Sequence, residues 1–219
     1  MPARPAAGGG RWVDVDPARL TRWLNGFSGR HGAAVITAEH GVLRLDAPDG
    51  SIAELHPAPG APPATNDIEQ FVVEALRHRR IGLLLARQSA VAVGIAVGPE
   101  LTTSKVDTSY VQGRTAAGGW SQHRFARRRE NQAKAAAGGA ADIAVRLLAP
   151  EVGTLSCVVT GGDRKAVEAV LADPRLEAVA AARSDRFLDV PEPRLAVLQS
   201  AVAAARSVRI KVLDPPASA

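Results

Sequence analysis

Apolar residues recur along this chain with two periods, and the places where one gives way to the other mark out its elements. Leu20, Trp23, Leu24 and Phe27 follow Asp16-Pro17 at helical spacing and predict a short amphipathic helix ending near Gly29. Three runs of strand character come next, Ala34 to Thr37, Val42 to Leu45 and Ile52 to Leu55, parted by Glu39-His40-Gly41 and Pro48-Asp49-Gly50. They read as a three-strand meander. The stretch His56-Pro57-Ala58-Pro59-Gly60-Ala61-Pro62-Pro63 then stops regular structure and marks the best domain boundary in the sequence.

A helix from Asp67 to about Arg79 opens the second part, with Ile68, Phe71, Val72, Ala75 and Leu76 on one face. The basic cluster Arg77-His78-Arg79-Arg80 at its C-terminal end complements the helix dipole. Strands are expected at 81–87 and 90–97, and a polar, β-branched third strand over 101–111 runs into a loop at about 112–120. From Ser121 nothing breaks the chain until Gly138-Gly139, and apolar spacing resumes at Ala136, Ala140, Ile143, Ala144 and Leu147. One long helix with a weak point at the glycines is predicted. Beyond Pro150 the pattern gives a strand over 154–160, a helix over 163–171 capped by Asp163, a strand over 176–182, a helix over 194–206 and a final strand over 208–213.

Alternating strands and helices indicate an α/β layer fold. The expected organisation is a disordered tail (1–10), a small α+β module of one helix and three strands (11–56), a proline-rich linker (57–66) and a larger α/β domain with a mixed sheet (67–214).

The balance of 27 Lys+Arg against 22 Asp+Glu gives a net charge of +5, which favours a polyanionic partner. The excess is modest, so its distribution matters more. Arginine greatly outnumbers lysine, but with so much Ala, Gly and Pro this fits a GC-rich coding sequence and does not by itself indicate RNA binding. The first ten residues lack the apolar core of a secretory signal. The longest apolar region, Ile81 to Val97, is interrupted by Arg87-Gln88-Ser89, leaving halves too short to span a bilayer. Cys157 is the single cysteine and sits in the apolar run Leu155-Ser156-Cys157-Val158-Val159, so a buried thiol in a reducing cytoplasm is expected. Scattered histidines (His31, His40, His56, His78), one cysteine, and no phosphate-loop or dinucleotide fingerprint lead to the expectation of no metal and no cofactor.

One stretch concentrates the candidate chemistry. Between Arg114 and Lys134 there are six Lys+Arg residues against the single carboxylate Glu130. On a helix, Arg124, Arg127 and Arg128 fall at i, i+3 and i+4 and share one face, where they can straddle a phosphate backbone. A charge run alone is most often a solvated helix face. Here it follows Thr115-Ala116-Ala117-Gly118-Gly119, a run with no large side chain, and then Trp120, Ser121 and Gln122. The glycine pair permits close approach of backbone to a partner, and guanidinium groups suit phosphate. RNA is the indicated partner. Ser121 is read as the N-cap of the helix.

From Gly113 to Arg128 the sequence resembles the central domain of archaeo-eukaryotic class-one peptide-chain release factors, in which a Gly-Gly-Gln loop leads into a helix bearing an Arg-Phe-Ala-Arg run. This chain has Arg124-Phe125-Ala126-Arg127, and in place of Gly-Gly-Gln it has Gly119-Trp120-Ser121-Gln122. That Gly-x-x-Gln spacing is similar to the Vms-like release factor (VLRF) family, whose actinobacterial branch is regarded as peptidyl-tRNA hydrolases. The element order from Asp67 to Leu213, Val158-Val159-Thr160-Gly161-Gly162 and Asp173-Pro174-Arg175-Leu176 add to the likeness. It covers about two thirds of the chain and implies a release-factor central-domain-like (RNase H-like) fold.

A carboxamide does not titrate, so Gln122 cannot act as a general base. Its use is positional: its side chain or backbone N–H can hold a water or the terminal ribose oxygen beside an ester carbonyl and donate to the developing oxyanion. On this resemblance Gly118 and Gly119 let the loop enter an RNA-walled cavity, and Gln122 orders the nucleophile. Arg114, Arg124, Arg127 and Arg128 contact RNA; Trp120 stacks on a base or packs the loop base. His123 is read as an RNA contact or a surface residue rather than a catalyst. The implied partners are peptidyl-tRNA and large-subunit rRNA near the peptidyl-transferase centre, met by a monomer away from membranes. With no room for codon-reading domains, ribosome rescue or quality control is the implied role. Cleavage of the tRNA 3′ end and non-catalytic ribosome or RNA binding remain open alternatives.

Overall fold

A computed structural model describes residues 4–87, 90–108 and 122–215, with the backbone alone for residues 122–134. In chain order the strands and helices begin with β1 (Arg4–Pro5), β2 (Arg11–Val15), α1 (Leu20–His31), β3 (Val35–Glu39), β4 (Val42–Asp46), β5 (Ile52–His56) and α2 (Ile68–Leu76). There follow β6 (Arg80–Arg87), β7 (Ala90–Val97), β8 (Glu100–Thr108), α3 (Gln122–Leu147), β9 (Cys157–Gly162) and α4 (Arg164–Leu171). The chain continues with α5 (Glu177–Ala181), β10 (Arg183–Leu188), α6 (Leu195–Arg206) and β11 (Val208–Leu213). Two compact units result, one of residues Met1–His78 with Ala203–Ala219 and the other Arg79–Val202.

In the first unit the meander β3–β4–β5 is antiparallel as expected, closed at one end by the two-residue turn His40 (φ 51) and Gly41 (φ 78). The sheet is wider than the sequence suggested: its order is β1-β2-β11-β5-β4-β3. Alternate residues Val208, Ile210 and Val212 of β11 join Val15, Leu43, Leu45, Ala53 and Leu55 in one core with Leu20, Leu24 and Phe27 of α1 and Phe71 and Ala75 of α2. Period-2 and period-3.6 stripes thus meet face to face.

Three expectations change here. Residues 1–10 were expected to form a tail, yet Arg4 and Pro5 pair with Trp12 and Arg11, and the Arg4 guanidinium donates to Asp14 at 2.7 Å. The stretch 57–66 lies within the first unit, not between units: Ala58 is buried, and the Ala64 amide donates to the Gly41 carbonyl at 2.9 Å. The division falls after His78. The expected domain 67–214 therefore loses both ends to the first unit, because the apolar stripe of α2 and that of β11 are buried in the first core.

The second unit is built on a mixed five-stranded sheet of order β10-β9-β6-β7-β8. β6, β7 and β8 are antiparallel neighbours, while β9 runs parallel to β6 and to β10. Residues Ile81 to Ala86 are all buried, the continuous apolar pattern of a strand covered on both faces. The core combines Leu84, Val91, Val93, Ile95 and Val158 with Ala140, Ile143 and Ala144 of α3 and Val167 and Val170 of α4. The mixed α/β class with a smaller α+β module before it is as expected.

Locally two readings are corrected. The strand expected over 176–182 is the helix α5, since Glu177-Ala178-Val179-Ala180-Ala181 is rich in alanine, the best helix former. The strand comes next, in the charged segment Arg183-Ser184-Asp185-Arg186-Phe187-Leu188 at the sheet edge. The strand expected over 154–160 starts later, at Cys157, after a 3-10 turn over Ala149–Thr154.

Candidate nucleic-acid interface

The candidate loop joins the edge strand β8 to α3, the longest helix described. Arg114, Gly118, Gly119 and Trp120, with the Ser121 cap, lie outside the described residues. Gln122, His123, Arg124, Arg127 and Arg128 lie in the first two turns of α3, where the backbone is helical. At 26 residues and a rise of about 1.5 Å per residue, α3 is roughly 39 Å long.

The root of this helix is fixed by packing. Ala140, Ala141, Ile143 and Ala144 are buried in the core of the second unit. Counted back along the helix from them at about 100° per residue, position 124 comes round to the opposite side, while 127 falls about 40° from Ala141 and 128 about 60° from Ile143, flanking the buried stripe. The register that buries the root therefore assigns position 124 to the side away from the core stripe and positions 127 and 128 to its two flanks.

A polar contact at the surface also reaches the root. Arg175, in the 3-10 turn Pro174–Leu176, donates to Asp142 of α3 at 2.7 Å and to Asp173 at 2.7 Å. Hydrogen bonds from the Arg175 side chain and backbone hold the Asp173 carboxyl down at about 2, and the same pairing raises the Arg175 guanidinium. Sequence reasoning singled out Asp173-Pro174-Arg175 as part of the resemblance but assigned no role to Asp142. Nothing in the local pattern signals a contact across 33 positions.

Elsewhere the described chemistry is structural. Burial pushes the Cys157 thiol up to about 11. Among the described residues no group of three or more His, Cys, Asp and Glu could hold a metal ion, and no helix is long and apolar enough to cross a membrane.

Residues 79–211 match the family described as the Actinobacteria/chloroflexi VLRF1 release factor. The chain belongs to this family. The match begins where the second unit begins and takes in the whole stretch from Arg114 to Lys134, so the expected kinship with Vms-like release factors is met. No curated protein matches the chain. Among solved structures, the archaeal translation termination factor aRF1 is similar at 17% identity and a TM-score of 0.47, over 89% of this chain and 63% of that one. Another, described only as an archaeal protein, is 14% identical with a TM-score of 0.38, over 89% of this chain and 66% of that one. This VLRF1 family member thus spans less than two thirds of the length of either.

Proposed function

We propose that the chain is a peptidyl-tRNA hydrolase, a codon-independent release factor that frees nascent chains from tRNA on stalled ribosomes or large subunits in the cytoplasm. The observation that carries this reading is the release-factor family match across a segment in which Gly119-Trp120-Ser121-Gln122 runs straight into the arginine positions of α3. Catalysis belongs to the second unit. Gln122 positions water at the ester and donates to the oxyanion, contributing geometry rather than a proton acceptor. Gly118 and Gly119 allow close approach, and Arg114, Arg124, Arg127 and Arg128, with Trp120 and His123, contact rRNA or the tRNA acceptor end. The attacking water's proton passes through a tRNA ribose hydroxyl or the ribosome to the departing 3′ oxygen, so this chain supplies water positioning and charge stabilisation.

The test is peptide release from a defined peptidyl-tRNA–ribosome complex, read on a gel that resolves tRNA length and peptide together. The expected products are free peptide and full-length tRNA, with release lost in Gln122→Ala. A shortened tRNA would assign the reaction to RNA cleavage instead. Equal release by Gln122→Ala and wild type would remove the glutamine from the mechanism.

A further inference from the structure

Gly138 and Gly139 lie inside α3, and among the described residues nothing around them requires glycine. Neither has a positive φ, both are exposed, and a Cβ added to either meets nothing within 4 Å. Close packing and left-handed backbone, the usual reasons for glycine inside an element, are both absent. What each glycine does is weaken the helix, by about fivefold in the helical equilibrium relative to alanine.

The position of the pair gives that weakness a use. On its C-terminal side Ala140, Ala141, Ile143 and Ala144 are at most 7% exposed, and Arg175 grips Asp142 at 2.7 Å. On its N-terminal side Ala135 is exposed and Ala136 and Ala137 are half-buried. The weakest point of α3 thus coincides with the turn at which the helix leaves the core. Bending here costs backbone hydrogen bonds that water can replace, whereas bending a turn later would unpack Ile143 and Ala144. Sharp helix kinks occur where the intrahelical ladder is weak, at proline, at Gly/Ser pairs and at bulges, and glycine is second only to proline in weakening a helix.

We propose that Gly138-Gly139 is a hinge about which the arm Gln122 to Ala137 changes direction relative to the buried stub Ala140 to Leu147, bringing the basic positions onto RNA, and that Arg175 is a positioning residue holding the stub. The purpose of the motion rests on the function proposed above; the motion itself does not.

The experiment measures distances by pulsed electron spin resonance between nitroxides on Gln132→Cys in the arm and Ala169→Cys on α4, in the full chain with Cys157→Ala. A broad distribution is expected, narrowing at least twofold in Gly138→Ala/Gly139→Ala, with amide exchange at residues 135–139 slowed about fivefold per glycine replaced. Equal widths in the two chains overturn the hinge. Arg175→Met should widen the distribution and Arg175→Lys restore it; an unchanged width in Arg175→Met removes Arg175 from the device. On stalled ribosome complexes the stiffened chain should release peptide about tenfold more slowly, and wild-type release by it overturns the RNA-seeking purpose. The distance measurement needs no catalysis, so a chain that shows the hinge and releases no peptide sinks the proposed function and leaves the hinge standing.

Discussion

Arg175 reaches Asp142 at 2.7 Å, joining the turn before α5 to a helix that lies 33 positions earlier in the chain. The same guanidinium holds Asp173, whose carboxyl falls from 3.8 to about 2. A carboxyl that ionises more readily folded than unfolded stabilises fully above its unfolded value, and that stability disappears as pH falls through the folded one. The difference in urea stability between wild type and Arg175→Met should therefore be constant above about pH 5 and shrink between about pH 4 and pH 2. A difference that does not change with acid would exclude this pairing in solution.

Cys157 is 6% exposed and burial lifts its thiol to about 11, so almost no thiolate is present at neutral pH. An aromatic disulfide reagent should leave the native protein unmodified over a period in which the urea-unfolded chain reacts completely. Rapid native labelling would mean that β9 opens readily.

Gly162 ends β9 with φ +102, and a side chain there would drive its Cβ into the Ala86 carbonyl oxygen. Strain and collision act together, so Gly162→Ala should lower the stability of the second unit by about 2 kcal/mol or more. Chemical denaturation followed by circular dichroism measures this, and a loss below about 0.5 kcal/mol would contradict the conformation.

Asp163 follows directly and accepts the Ala166 amide at 2.9 Å as the cap of α4. Asp163→Ala should cost about 1 kcal/mol, and Asp163→Asn, which keeps the accepting oxygen, a small part of that. Urea midpoints of the three proteins decide the matter.

Positions 127 and 128 of α3 flank the buried stripe without belonging to it, and reversing Arg127 and Arg128 to Glu should leave the second unit folded. Ribosome affinity should fall, and the slope of log affinity against log salt should become shallower by roughly one for each phosphate that is no longer neutralised. An unchanged slope would show that neither position meets phosphate.

Periodicity made much of the fold legible. The meander, α1, α2, α4, α6 and the long helix all lie close to where apolar spacing places them. What stayed hidden is non-local or runs against composition. β2 is Arg11-Trp12-Val13-Asp14-Val15, whose apolar residues at 12, 13 and 15 do not alternate as those of β4 do, and it is a strand because β11 lies beside it. β10 carries three charged residues in six, and its partner β9 decides its conformation. Most of the candidate site was legible as chemistry, since glycines, glutamine and arginines declare themselves in order. The Arg175–Asp142 grip was not, because pairing of this kind depends on where α3 passes the turn.

β11 lies between β2 and β5, in the middle of the first sheet, and it follows every other described strand in the order of synthesis. Until the ribosome has passed Leu213 that sheet consists of two separate pieces, β1–β2 and β3–β5, with a strand-wide gap between them. The second unit is continuous, Arg79–Val202, and has every strand of its own sheet before β11 exists. Completion therefore runs against the order of synthesis: a nascent chain halted between Val202 and Val208 contains every strand of the second sheet and still lacks a central strand of the first.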